Sequence, residues 1–190
     1  MDTSSDRLRI ALIVGSVRAT RLADCLLTWL ELRLATVDWL TVDVIDLADV
    51  ELPAQDLAPG GGTSISDRLR AADGFLVLTP EYNHSFPGSL KNAIDWHRDE
   101  WARKPVAFVS YGAGSGGIRA VEQLRLVFAE LHATTVRNAV HLSQPWERLT
   151  EDGRFDGDPA AVAALEATLD DLRWWASALR PARAGELVAP

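Results

Sequence analysis

Five short strand-like runs recur along the chain, at residues 8–14, 41–47, 75–79, 105–110 and 135–142, and each is followed, directly or after a loop, by a stretch of helical character. The runs at 8–14, 75–79 and 105–110 are almost continuously apolar, which suits strands covered on both faces rather than an alternating, half-wet sheet. The run at 41–47 alternates Thr41, Val42, Asp43 and Val44, as a more exposed strand does. Between the runs, Leu22, Leu26, Trp29, Leu30 and Leu34 return at helical spacing over 21–36. Ser64–Asp67 starts a second helix with an acid in its first turn, and Pro87 opens a third over 87–101. Val121, Leu124, Val127, Phe128 and Leu131 mark a fourth helix. Asp158 caps and Pro159 starts a last one bearing Leu165, Leu169, Leu172, Trp175 and Leu179. This predicts an α/β three-layer sandwich: a five-stranded parallel sheet in the order 2-1-3-4-5 with helices on both faces. In that order the switch point falls between strands one and three, at the loops 15–21 and 80–87.

The 190 residues are read as one domain, 1–190, with a core at about 7–180 and a loose tail over 181–190. A loop rich in Pro and Gly is expected at 53–62, and an irregular one at 144–157 with an Asp152–Gly153 turn. A formal net charge of −8 argues against a nucleic-acid surface and against a polybasic membrane anchor. No apolar run approaches the roughly 20 residues that span a bilayer. The opening residues lack the basic and apolar regions of a secretory signal, and the single Cys25 cannot form an internal disulfide; together these predict a cytoplasmic protein.

Three loops carry chemistry. Gly15-Ser16-Val17-Arg18-Ala19-Thr20-Arg21 joins the first strand to the first helix, where backbone N–H groups, hydroxyls and guanidiniums suit a phosphate dianion. It lacks the Gly-Lys-Ser/Thr ending of a P-loop, and an ordinary capped turn with solvated arginines is the competing reading. Pro80-Glu81-Tyr82-Asn83 begins a Pro-bounded polar loop at the carboxyl end of the third strand and leads into Pro87-Gly88-Ser89-Leu90-Lys91-Asn92-Ala93-Ile94-Asp95-Trp96. Gly112-Ala113-Gly114-Ser115-Gly116-Gly117 follows the fourth strand. It fits the spacing of a dinucleotide fingerprint, but the strand after it has no acidic residue, so that reading is rejected. His84, His97, His132 and His141 show no paired metal spacing, and no metal site or protein nucleophile is assigned. Trp96 and Trp101 are read as candidates for a subunit interface, and Trp174 and Trp175 as core and edge packing.

Taken in order, Pro80 to Trp96, Gly15-Ser16-x-Arg18 and the glycine cluster through Ile118-Arg119-Ala120 closely resemble the NAD(P)H-dependent FMN reductase family. The resemblance runs nearly the length of the chain, departing at Arg21, where the commoner form has Ser. It implies a flavodoxin-like fold and an enzyme that oxidises NADPH or NADH through FMN by a ping-pong cycle. The electrons go to a small acceptor such as a flavin or quinone. The site residues it implies are Ser16, Arg18, Thr20 and Arg21 at the phosphate, with Thr20 able to stand in for Arg21. Pro80, Glu81, Tyr82 and Asn83 border one side of the flavin ring, and Ser110, Tyr111, Gly112, Ser115, Gly116 and Gly117 another. The flavin carries the chemistry, so no catalytic side chain is expected. A homodimer or homotetramer is implied. Two readings of other classes stay open: a non-enzymatic flavodoxin-like electron carrier, and a nucleotide-binding regulatory protein.

Overall fold

The structure, a computed structural model, describes residues 7–52 and 62–185. Most of the loop expected at 53–62 and the ends 1–6 and 186–190 lie outside the described residues. Strands β1 (Leu8–Val14), β2 (Leu40–Asp46), β3 (Gly74–Pro80), β4 (Pro105–Gly112), β5 (Thr134–Thr135) and β6 (Val140–Ser143) alternate with helices α1 (Ala23–Leu34), α2 (Ser66–Ala71), α3 (Gly88–Trp96), α4 (Ile118–Glu130) and α5 (Pro159–Arg183). The sheet is parallel in the order β2-β1-β3-β4-β5, with β6 also on β4, as expected for a flavodoxin-like fold. β1, β3 and β4 are buried along almost their whole lengths, which is why their sequences read as apolar runs.

Two apolar cores result, one on each face of the sheet. On one face α1 and α5 cover the strands, and Ile10, Leu12, Leu76 and Val109 meet Leu26, Leu30, Leu169 and Leu172. On the other face α2, α3 and α4 bury Phe75, Val77 and Phe108 against Leu69, Ile94, Leu124 and Phe128. Asp158 caps α5 as expected, its carboxylate accepting from the Ala161 N–H at 2.7 Å.

Several expectations need correction. The fifth strand is broken into β5 and β6. Between Val106 and Val109 the β4 chain advances three residues while its partner advances five, from Thr135 to Val140. The extra length is held by side chains from elsewhere: Arg125 donates to the Thr135 hydroxyl and to the Val136 and Arg137 carbonyls, and Asp171 accepts from the Asn138 N–H. The third helix stops at Trp96 rather than 101, and the segment beyond it tucks Trp101, 1% exposed, against Phe75 and Phe128 at ring separations of 4.6 and 5.4 Å. Trp101 is therefore a core residue of this chain and not an interface one. Trp174 and Trp175 point outward, 64% and 36% exposed, because Leu172 and Ala176 take the inner face of α5. Finally, α5 continues through Pro181 to Arg183, whose guanidinium donates to Asp73 at 2.9 Å and to the Arg103 carbonyl at 3.1 Å, so the first part of the expected tail is ordered.

Candidate active site

At the carboxyl ends of β1, β3 and β4 the three loops of interest converge on one cavity of about 400 Å³. Ser16, Arg18, Thr20, Arg21, Pro80, Glu81, Tyr82, Asn83, Tyr111 and Gly112 line it, together with Leu22, Ala113 and Trp146. This is the switch point of the sheet, where the crossover connections leave β1 and β3 in opposite directions and open a crevice.

The loop after β1 is anchored at its base. The Gly15 N–H donates to the Leu78 carbonyl at 2.9 Å, and the Ser89 hydroxyl donates to the Gly15 carbonyl at 2.7 Å. Ser16 is buried and its hydroxyl lies 2.9 Å from that of Tyr82. The Arg18 guanidinium stacks over the Tyr82 ring, 4.0 Å from its centre. Arg21 is bound into the protein by Asp24, Asp46 and the Ser16 carbonyl, and the Asp46 hydrogen bond above all holds its guanidinium firmly in the charged form.

The loop after β3 is a tight hairpin. Tyr82 and Ser85 exchange backbone hydrogen bonds of 2.8 and 3.0 Å, and both central residues, Asn83 and His84, have positive φ, at 49° and 72°. That is the pattern of a type I′ turn, which Asn tolerates better than most residues. Glu81 turns its carboxylate toward the third loop. It accepts from the Ser115 hydroxyl at 2.8 Å and pairs with Arg119 at 2.6 Å. Burial pushes the Glu81 carboxyl up, but these hydrogen bonds outweigh it and leave the group below the usual carboxylate value.

Four residues named from the sequence stand beside the cavity rather than on its wall. Ser110 is buried in β4 and donates to the Gly116 carbonyl at 2.8 Å, with His141 Nδ1 2.7 Å away. Gly116 and Gly117 have positive φ and press on the His141 backbone and the Ser110 side chain, so a side chain at either position would collide. Ser115 is held by Glu81. Together they fix the shape of the loop whose start, Gly112 and Ala113, reaches the cavity. Tyr111 is buried, and burial keeps its phenol well above the ordinary value, so it stays protonated at the wall.

Trp146 is the cavity residue that sequence reasoning missed. It sits on a 3₁₀ turn, Pro145–Arg148, directly after β6, and is 48% exposed. The available signal is its position: an aromatic immediately past the carboxyl end of a strand lies at the ligand-binding edge of such a sheet. His97 is remote, its ring nitrogens engaged by the Thr63 hydroxyl at 2.6 Å and the Ala93 carbonyl at 2.7 Å.

Residues 8–147 match the family described as NADPH-dependent FMN reductase. A probable NADPH:quinone oxidoreductase 2 from Oryza sativa subsp. japonica is 32% identical, the match covering 94% of this chain and 93% of that one. A 2-hydroxy-1,4-benzoquinone reductase from a Burkholderia species is 36% identical over 88% of this chain and 96% of its own. Among solved structures, FerB, a flavoenzyme NAD(P)H:(acceptor) oxidoreductase from Paracoccus denitrificans, superposes with a TM-score of 0.71 at 26% identity, covering 88% of this chain and 97% of that one.

Proposed function

This chain belongs to the NADPH-dependent FMN reductase family, and from that premise we propose that the cavity at the switch point is its FMN site and that a quinone-type molecule is its electron acceptor. The protein is an FMN-dependent oxidoreductase using NADPH or NADH. The observation that carries the site assignment is the convergence of all three loops on a single crevice of a size suited to a cofactor.

The residues present fit the group. Ser16, Arg18 and Thr20 offer hydroxyl donors and a cation for a phosphate. Tyr82, Tyr111 and Trp146 offer aromatic surface for a planar ring, and Pro80, Asn83, Gly112 and Ala113 offer polar backbone and amide edges at close approach. Bound FMN supplies the redox chemistry, accepting a hydride equivalent from the nicotinamide and returning electrons to the acceptor. The chain binds and orients; Ser110, Ser115, Gly116, Gly117, Glu81 and Arg119 hold the third loop in place for that task.

The acceptor assignment draws on relatives named for quinones. The cycle is ping-pong, with donor and acceptor using the same face in turn. Varying NADPH at several fixed concentrations of a benzoquinone should give parallel double-reciprocal lines. Intersecting lines would contradict the shared face, and absence of quinone-dependent turnover would remove that acceptor class.

The working form is a homodimer or homotetramer, supported by the exposed apolar side chains of Val17, on the loop after β1, and Trp146, at the cavity, and light scattering at micromolar concentration tests it. A single-chain mass would overturn it. A cytoplasmic location accords with the lone cysteine; no helix among the described residues is long and apolar enough to cross a membrane.

A further inference from the structure

We propose that Arg21 is a positioning residue which, strapped to Asp46, shapes the loop after β1 for a phosphate rather than binding the phosphate itself. The inference rests on the reading of the cavity as the FMN site.

Arg21 lines the cavity, yet all but one of its donors have partners inside the protein. Its Nε donates to Asp24 at 2.8 Å. Its Nη1 donates to the Ser16 carbonyl at 2.5 Å and to Asp46 Oδ1 at 2.7 Å, and its Nη2 donates to Asp46 Oδ2. Four of the five guanidinium N–H groups therefore have partners inside the protein. Both arms of the Asp46 pair are largely covered, at 11% and 13% exposure, and a fork-to-fork contact of this kind fixes direction as well as distance.

Asp46 is well placed for this task. It is the last residue of β2, in register with Val14, and its Oδ1 also accepts from the Ala48 N–H at 2.9 Å, so the carboxylate is rigidly held. The strap thus runs from the end of β2, through Arg21, to the carbonyl of Ser16. Because the peptide is planar and trans, a Ser16 carbonyl fixed on Arg21 turns the following Val17 N–H the opposite way. The geometry of the loop that carries Ser16 and Arg18 is set by this contact. Arg21 also neutralises Asp46, whose bare charge would repel a phosphate nearby.

The two roles give opposite signs in one variant. Asp46→Asn removes a negative charge and frees Arg21. If Arg21 were a direct ligand, FMN binding would hold or tighten. A strap predicts the reverse. Apo-protein is titrated with FMN and, separately, with riboflavin, which lacks the phosphate, following flavin fluorescence. The expected result is that Asp46→Asn weakens FMN about tenfold, the order seen when a partner that orients a binding group is lost, with riboflavin affinity unchanged. Arg21→Lys keeps the charge but cannot hold Ser16 and Asp46 in the same fork, so it should weaken FMN similarly; it also serves if Asp46→Asn does not fold. The double variant should be no worse than either single one.

FMN affinity equal to or tighter than wild type in Asp46→Asn, or retained in Arg21→Lys, overturns the strap. An equal loss of riboflavin binding overturns it too, since that would mark general damage. Wild-type protein that binds no FMN would overturn the cofactor reading, and the strap with it; wild-type binding with unaffected variants overturns the strap alone.

Discussion

The Arg18 guanidinium lies over the ring of Tyr82, 4.0 Å from its centre, while the Tyr82 hydroxyl meets Ser16 at 2.9 Å. One tyrosine of the loop after β3 is thereby bound to two residues of the loop after β1, across the switch point. The two loops that the family reading assigns to phosphate and ring form one contact unit.

Arg18→Ala should weaken FMN by roughly 10- to 100-fold, the scale of a hydrogen bond to a charged group. Riboflavin should be affected far less, and the melting temperature of the apo-protein little, since Arg18 is exposed. Fluorescence titration with both flavins checks this; unchanged FMN affinity would remove Arg18 from the phosphate.

The glycine cluster contains its own control. Gly117 has φ +90° and an added Cβ would lie 2.7 Å from the Ser110 Cβ, whereas Gly114 has no atom within 4 Å of such a Cβ. Gly117→Ala should cost about 1–3 kcal/mol from backbone strain, with the collision adding to it. Gly114→Ala should stay within about 0.5 kcal/mol of wild type. Urea unfolding of both variants decides it.

Glu81 gives a pH dependence with a definite sign. Its carboxyl titrates lower in the folded protein than in the unfolded chain, so its stabilising effect is present above the ordinary glutamate range and is lost as pH falls through the folded value. The melting-temperature gap between wild type and Glu81→Gln should therefore shrink on acidification below about pH 4.5. A gap that grows in acid would contradict the pairing with Ser115 and Arg119.

Trp101 and Trp174 should behave oppositely. Trp101→Ala opens the aromatic cluster with Phe75 and Phe128 and should cost about 3–5 kcal/mol. Trp174→Ala, on the outer face of α5, should change stability by less than about 1 kcal/mol. Chemical denaturation checks both.

The layering is legible in the sequence because near-continuous apolar strands require cover on both faces; the order follows from choosing, by the number of strands, between the two common doubly wound arrangements, and it places the candidate site at the switch point between strands one and three. What stays hidden depends on side chains far apart in sequence. The segment between β5 and β6 is held by Arg125 and Asp171, and neither marks residues 136–139 locally. Arg21 reads as a free cation until Asp46, 25 residues on, is brought beside it. Trp101 lies past the end of α3 and is drawn inward by Phe75 and Phe128, where the sequence pattern predicts a continuing helix. Trp146 carries no motif; its one signal is its position just past the last strand, and the fold brings it to the cavity.

The most direct test of the account is the visible absorption spectrum of the purified protein with FMN, titrated anaerobically with NADPH and then NADH. Bound flavin that bleaches rapidly with either nucleotide is the predicted result. Flavin that binds and stays oxidised would contradict reductase activity and favour an electron carrier, and no flavin binding would contradict the assignment of the cavity.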